Sequence, residues 1–442
     1  MSKAQAIAVG VTLMGAAVLG YGLYRVGTTY WDFGAAAGEL DAAVAAYRAD
    51  GLPYEAKDLV THVDPAQNAA PAVRAALKAM PKKNASARLG AALKAPEKTG
   101  DAVASDYGPS LALLQGAEDR PRVGFDRDWD LGPNVLFPEY AGLKSLAKAA
   151  VLRADREAAR GDDASALRDL GLARQTALWA GQEPTLISML VRIADESIAL
   201  DGAERCLVHA ANRPERIARY ARWLKGAPPL PDFGRALRGE AWMGVAAIRN
   251  LDVLGGVNNL SQMQAGEGEV PKVDPRALRR TGPPDGVHAR GFFVRHLQLW
   301  DRLYRETDHF RQPPAKIGAH IDVVANGLEA WKGLSYVLDR ILLPVFAQAG
   351  TAVVQLDARR AVQAGFAEAL TTHALTGRWP TRVSGKDPFT GDALHVKRWG
   401  TGIRVYSLGR DGKDDGGLLR REVSKREGAT YDEVAAYPPV PR

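Results

Sequence analysis

The sequence predicts a mainly α-helical protein with three parts: an N-terminal transmembrane helix, an elongated multi-helix body, and a small C-terminal α+β unit with an antiparallel β-hairpin. Three observations carry this. An uncharged apolar run fills residues 6–24. Apolar stripes of helical period, punctuated by Gly and Pro, fill the middle. Alternation of period two appears only after residue 380. The chain reads as an anchor at 1–26, a helix-and-loop region at 27–135, a helical body at 136–344 and the α+β unit at 345–442.

The first run, "AIAVGVTLMGAAVLGYGLY", spans about 28 Å as a helix, close to the ~30 Å hydrocarbon core of a bilayer. Tyr21, Tyr24, Tyr30 and Trp31 gather at its far end, where an interfacial belt belongs. A cleaved signal peptide needs a small-x-small junction close behind, and "GAAAG" at 34–38 is distant. An uncleaved, single-pass anchor is therefore expected. Lys3 and the amino terminus precede it and Arg25 follows, which leans towards a cytoplasmic N-terminus with the bulk of the chain outside. Ala16 and Gly20 have the spacing at which two membrane helices approach.

Composition narrows the partners. The net charge of +7 arises mostly from Arg scattered through Ala/Arg-rich helical text, read as solvated helix faces. No basic-aromatic patch or nucleic-acid motif accompanies it, so no nucleic-acid partner is expected. The single cysteine, Cys206, excludes an internal disulfide and a Cys-based zinc site. Its apolar neighbours place it in the core.

Along the body, residues 36–50 form a helix stopped by Gly51 and Pro53, and a second helix runs to Met80. Short helices and loops fill 81–135. From 139 the stripe Leu143, Leu146, Ala150 and Ala154 marks a helix ended by Gly161. A second stripe through Leu167, Leu170, Ala173 and Ala177 completes a helical hairpin. A helix after Pro184 turns Leu186, Leu190, Ile193 and Leu200 inward, and Pro214 opens the next. Residues 232–262 read as a helix, and 264–290 as a polar linker. The helix at 292–310 buries Phe293, Leu297, Trp300 and Tyr304, with His296 and His309 as surface or boundary residues near its two ends. Pro344 kinks or restarts a long helix that ends at Gly377.

The ending changes character. Asp387-Pro388 begins a type I turn. "ALHVKRW" and "GIRVYSL" alternate around a Gly400-Thr401-Gly402 turn, so a hairpin is expected. Its inward residues are Leu394 and Val396 on one strand and Ile403 and Val405 on the other. Two strands alone are marginal, and the helix before them is the natural support. Asp411, Asp414 and Asp415 follow within five residues, among Gly412, Gly416 and Gly417. Carboxylates and carbonyls on a curved loop suit a hard cation such as Ca²⁺, though the order is not that of an EF-hand. The same residues also make an ordinary solvated Asp/Gly turn.

"TGRWP", "DPFTGDALHV" and "VYSLGRDGKDDGG" resemble the globular head of major pseudopilins of type II secretion systems, over roughly residues 350–417. By position, that resemblance implies a Ca²⁺ site with a carbonyl from Leu408 and carboxylates from Asp411, Asp414 and Asp415. The first twenty residues lack the leader junction and the Glu of a pseudopilin. The chain is thus not expected to be a pilus subunit. As a whole, on "DPAQNAAPAV", "RGDDASALRDLGLARQTAL" and "GQEPTLISMLVRIA", it is similar to Ala/Arg-rich, membrane-anchored helical proteins of planctomycete-type bacteria, a likeness that implies no activity.

No nucleophile elbow, P-loop, zinc-protease or dinucleotide motif is present. Glu183 and Glu240 are the carboxylates best suited to acid/base work, and Glu183 also suits a helix start. The expected function is a membrane-anchored, non-enzymatic scaffold or accessory protein of the cell envelope. It would dock on a secretion or pilus-like assembly. The alternative is an envelope hydrolase built on Glu183 or Glu240, and a third reading is a periplasmic ligand-binding body.

Overall fold

The computed structural model describes residues 34–82, 84–250, 281–330, 337–418 and 432–439. The helices run α1 (Leu40–Ala49), α2 (Ala70–Lys78), α3 (Ala85–Lys94), α4 (Pro96–Asp106) and α5 (Gly108–Gln115). Then come α6 (Glu139–Arg160), α7 (Asp163–Ala180), α8 (Leu186–Ala210), α9 (Pro214–Lys225) and α10 (Phe233–Arg249). After α11 (Val287–Glu306), α12 (Pro314–Ala330) and α13 (Val337–Thr376) follow β1 (His395–Trp399), β2 (Gly402–Ser407) and β3 (Glu433–Tyr437). The chain is mainly helical with a small three-stranded antiparallel sheet. The expected membrane segment lies outside the described residues, among which no helix is long and apolar enough to cross a membrane.

Two compact units are built from interleaved segments. Of the described residues, the first takes those within Met1–Val60, Arg127–Val135 and Leu237–Ala347; the second takes those within Thr61–Asp126, Leu136–Ala236 and Gln348–Arg442.

In the first unit the predicted stripe of α11 is buried as expected: Phe293, Leu297, Trp300 and Tyr304 are all inside. The Arg249 guanidinium is enclosed by rings, 4.3 Å from that of Tyr54 and 5.7 Å from that of Phe293. Such contacts offset part of the cost of burying an arginine. Two sequence readings of α11 need correction. The helix ends at Glu306, so His309 falls in the turn beyond it, at φ 57°. His296 is not a boundary residue: it is fully buried, and its Nδ1 lies 2.9 Å from Asp339 Oδ1. A partner 43 positions away made it affordable in a core. The ring lies against Gly244 of α10, where a Cβ would stand 2.3 Å from imidazole Cε1.

The second unit is centred on α6, α7 and α8. Leu143, Leu146, Ala150 and Ala154 are completely buried, as are Leu170, Ala173 and Ala177. Gly161 ends α6 at φ 86°, and the Asp162 side chain accepts from Ser165 N–H to start α7. On α8, Leu186 and Leu200 point inward as the stripe predicts, but Leu190 is exposed. The inward face there carries Asp195 and Glu196 instead, both fully buried. Several arginines expected on solvated faces are likewise internal. Arg216 makes two-pronged contact with Asp163, at 2.7 and 2.8 Å, while Tyr220 Oη donates to the same carboxylate at 2.7 Å. Burial pushes the Asp163 carboxyl up, but these donors outweigh it and hold it below its ordinary range.

The sheet has order β1-β2-β3, with β2 central. The expected hairpin is present, Val396 opposite Val405 and Trp399 opposite Gly402. Sequence reading did not foresee β3, which pairs Ile403 with Tyr437. Gly402 is needed for that third strand, because a Cβ there would lie 1.7 Å from the Tyr437 carbonyl oxygen. The expected support is also present. At Gly365 of α13 the helix comes so close to the sheet layer that a Cβ would meet Val383, Leu394 and Val405 at 2.9–3.3 Å. Leu394, Ile403 and Val405 are buried there, and Val396 is half-buried. Gly377 ends α13 at φ 68°, and Trp379 donates its indole N–H to Thr401 O at 2.9 Å, tying helix end to hairpin turn.

Candidate functional site

The segment between α13 and β1 is pinned by Asp387, which has no exposed surface. Its Oδ1 accepts from Phe389 N–H at 2.9 Å and from Ser407 Oγ at 2.8 Å, and its Oδ2 accepts from Leu408 N–H at 2.8 Å. One carboxylate thus closes its own turn and clamps it to the exit of β2, where the acidic loop begins. Leu408 is therefore fixed by its N–H.

The loop curves through Gly409, Gly412, Gly416 and Gly417, all at positive φ, where side chains are strained. Asp411 Oδ1 accepts from Lys413 N–H at 3.1 Å, a local turn. Asp414 Oδ1 accepts from Gly416 N–H at 2.8 Å and from Tyr406 Oη at 3.1 Å, and His395 Nδ1 stands 3.7 Å from its Oδ2. Burial, with Asp414 beside it, pushes the Tyr406 hydroxyl above its ordinary range. The carbonyls of Gly416 and Gly417 receive Lys397 Nζ at 3.3 Å and Arg404 Nη1 at 2.6 Å.

A residue that sequence reasoning missed completes the picture. Asp432, just before β3, is buried, and its Oδ2 accepts from Gly417 N–H at 2.8 Å. Its Oδ1 is also buried and, among the described residues, takes no hydrogen bond, while the Leu418 N–H acts on the same carboxylate. Burial, then the charges of Asp415 and Asp414, push this carboxyl up to about 6. The only cue in the sequence was an acid at the edge of "YDEVAAY", unremarkable without the fold. Among the described residues no group of three or more His, Cys, Asp or Glu side chains is gathered into a metal-ligand set. The donor chemistry nonetheless suits a hard cation: a buried carboxylate with two further carboxylates in electrostatic reach.

The carboxylates weighed for hydrolysis are placed differently. Glu183 lies in the second unit and Glu240 in the first. Glu183 takes a short hydrogen bond from Tyr140 Oη, and its N–H meets Ser188 Oγ at 3.2 Å. The cap of α8 is Thr185, not Glu183, through Ser188 N–H at 3.2 Å. Both glutamates are half-buried. Cys206 is fully buried, and burial raises its thiol well above the ordinary range, away from nucleophilic chemistry. Compared with known proteins, the chain matches no family model, no curated protein and no solved structure.

Proposed function

We propose that this protein is a membrane-anchored, non-enzymatic scaffold or accessory protein of the cell envelope. Residues 1–26 hold it in the membrane with its bulk outside the cytoplasm, and residues 345–442 form its working end. That end docks on a secretion or pilus-like assembly. Ca²⁺ would tighten its loop through Asp414, Asp415 and Asp432, with Asp411 and the Leu408 carbonyl completing the set that the pseudopilin resemblance implies. The observation that carries the reading is the acidic loop itself. It is anchored at its start by Asp387 and at its end by Asp432, a buried carboxyl that Asp415 and Asp414 repel. A cation there would relieve that repulsion and fix the shape of the tip.

Two measurements test this. Calorimetric titration of the full chain with Ca²⁺ should give a saturable heat that Asp432→Asn or Asp414→Ala abolishes; equal heats, or none, would sink the ion. In-cell crosslinking should capture secretion or pilus components through residues 387–417. Capture of bulk envelope material alone would sink the docking role.

A further inference from the structure

The helical part of the second unit holds a separate cavity of about 430 Å³, open on one side, between the end of α5 and the facing surfaces of α6 and α7. Its floor is Asp169, almost fully buried. Arg153 grips that carboxylate with two N–H groups, Nε at 2.5 Å, and Gln115 adds a third donor at 3.3 Å. The charge of Arg153 is thereby used up. At the rim, Arg168 is turned onto Ser165 Oγ at 2.8 Å. Two further carboxyls line the cavity, Glu157 and Glu118. Oε2 of Glu157 is buried and, among the described residues, takes no hydrogen bond, and the protonated carboxyl can share its proton with Asp169. Burial first, then the neighbouring Asp169, push Glu157 up to about 7 and raise Glu118 as well.

Arg168 at the rim bonds a neutral hydroxyl, but on the inner side three carboxyls accompany the one arginine, Arg153, and an occupant seated there brings positive charge and N–H donors. A hard metal needs oxygens gathered at about 2.3–2.6 Å. No such set exists among the described residues. Among the described residues no aromatic side chain lines the cavity to stack on a sugar or a base. A primary ammonium offers three donors on a compact charge. A volume in the range of about 300–1,000 Å³ suits a small molecule.

We propose that this cavity binds a small aliphatic amine, with one ammonium group on Glu157 beside Asp169 and a second amino group reaching Glu118. Binding then expels the proton that Glu157 holds. The affinity should rise about tenfold per pH unit up to the titration of Glu157 and level off above it. Ordinary surface carboxylates, ionised throughout that range, would give no such dependence.

The test is calorimetric titration of the detergent-solubilised full chain with 1,4-diaminobutane between pH 5.5 and 8.5, in two buffers of different ionisation heat. Saturable binding with proton release, weakened at least tenfold and made pH-independent by Glu157→Gln, is the expected result. Glu118→Gln, at a less buried position, should weaken the diamine several-fold and leave butylamine unchanged. Absence of binding, pH-independent binding, or an unaltered Glu157→Gln variant would overturn the proposal. So would Ca²⁺ reproducing the same pH profile, because the cavity would then be a metal site.

Discussion

Replacing Asp387 by Ala is the sharpest perturbation the C-terminal unit allows. The carboxylate has no exposed surface and accepts three hydrogen bonds of 2.8–2.9 Å, two from backbone N–H groups and one from a hydroxyl. Alanine leaves all three donors without that acceptor. An unsatisfied buried donor costs about 1–3 kcal/mol, and the three share one group, so their costs do not simply add. A total of roughly 3–5 kcal/mol is expected. Asn is the informative control. It keeps an oxygen for Phe389 and Ser407 but sets an NH₂ group against Leu408 N–H, costing about 1.5–3 kcal/mol. Urea denaturation, read together with hydrogen exchange at Phe389 and Leu408, gives both numbers. Ala should accelerate exchange at both amides and Asn chiefly at Leu408. If Ala lay within about 0.5 kcal/mol of the parent, Asp387 would not be the clamp described.

Four further outcomes follow from the same reasoning. Gly202→Ala should destabilise by about 1 kcal/mol, because its Cβ would lie 2.8 Å from both Val151 methyls, on a stiff β-branched side chain. Gly171→Ala, in the neighbouring helix with open space around it, should instead stabilise by about 0.5–1 kcal/mol; paired thermal melts read the opposite signs. Burial pushes Asp195 up to about 7, against the weaker pull of Lys144 and Lys148. The folded state then binds the proton more tightly than the unfolded chain. Stability from this group is present below its unfolded pKa and lost as pH rises through about 7, by roughly 2–3 kcal/mol between pH 5 and pH 8. Asp195→Asn should flatten that slope in denaturation at the two pH values, and an unchanged slope would refute the assignment. Asp432→Asn, carrying no charge to oppose Asp414 and Asp415, should raise the melting temperature in chelator at pH 7.5 and abolish any gain from added Ca²⁺.

What was legible in the sequence was local. The stripes of α6, α7 and α11, the Gly161 and Gly377 helix ends and the β1–β2 hairpin all express periods or turn chemistry confined to a few neighbouring residues. What was not legible depends on distance along the chain. Strand β3 carries two alanines, weak strand formers, and forms because β2 offers it an edge. Asp163 and Arg216 are 53 positions apart, so neither announces that it will be buried. The acidic loop was visible as Asp411, Asp414 and Asp415, but its buried member, Asp432, comes into place only through the sheet. Glu157 escaped notice for the same reason: its character comes from burial in the folded bundle and then from Asp169 on the next helix.

The bundle of α6, α7 and α8 has a consequence for temperature. Its buried faces are rich in alanine, and it also encloses Asp163, Asp169, Asp195, Glu196 and Arg216. Unfolding exposes less hydrocarbon per residue than a leucine core would, along with unusually many polar groups. Apolar exposure raises the heat capacity and polar exposure lowers it. The second unit should therefore unfold with a heat-capacity increment below the common ~12–15 cal/mol/K per residue. Its stability curve is then broad and shallow, with stability falling slowly on warming and cold destabilisation displaced to lower temperature.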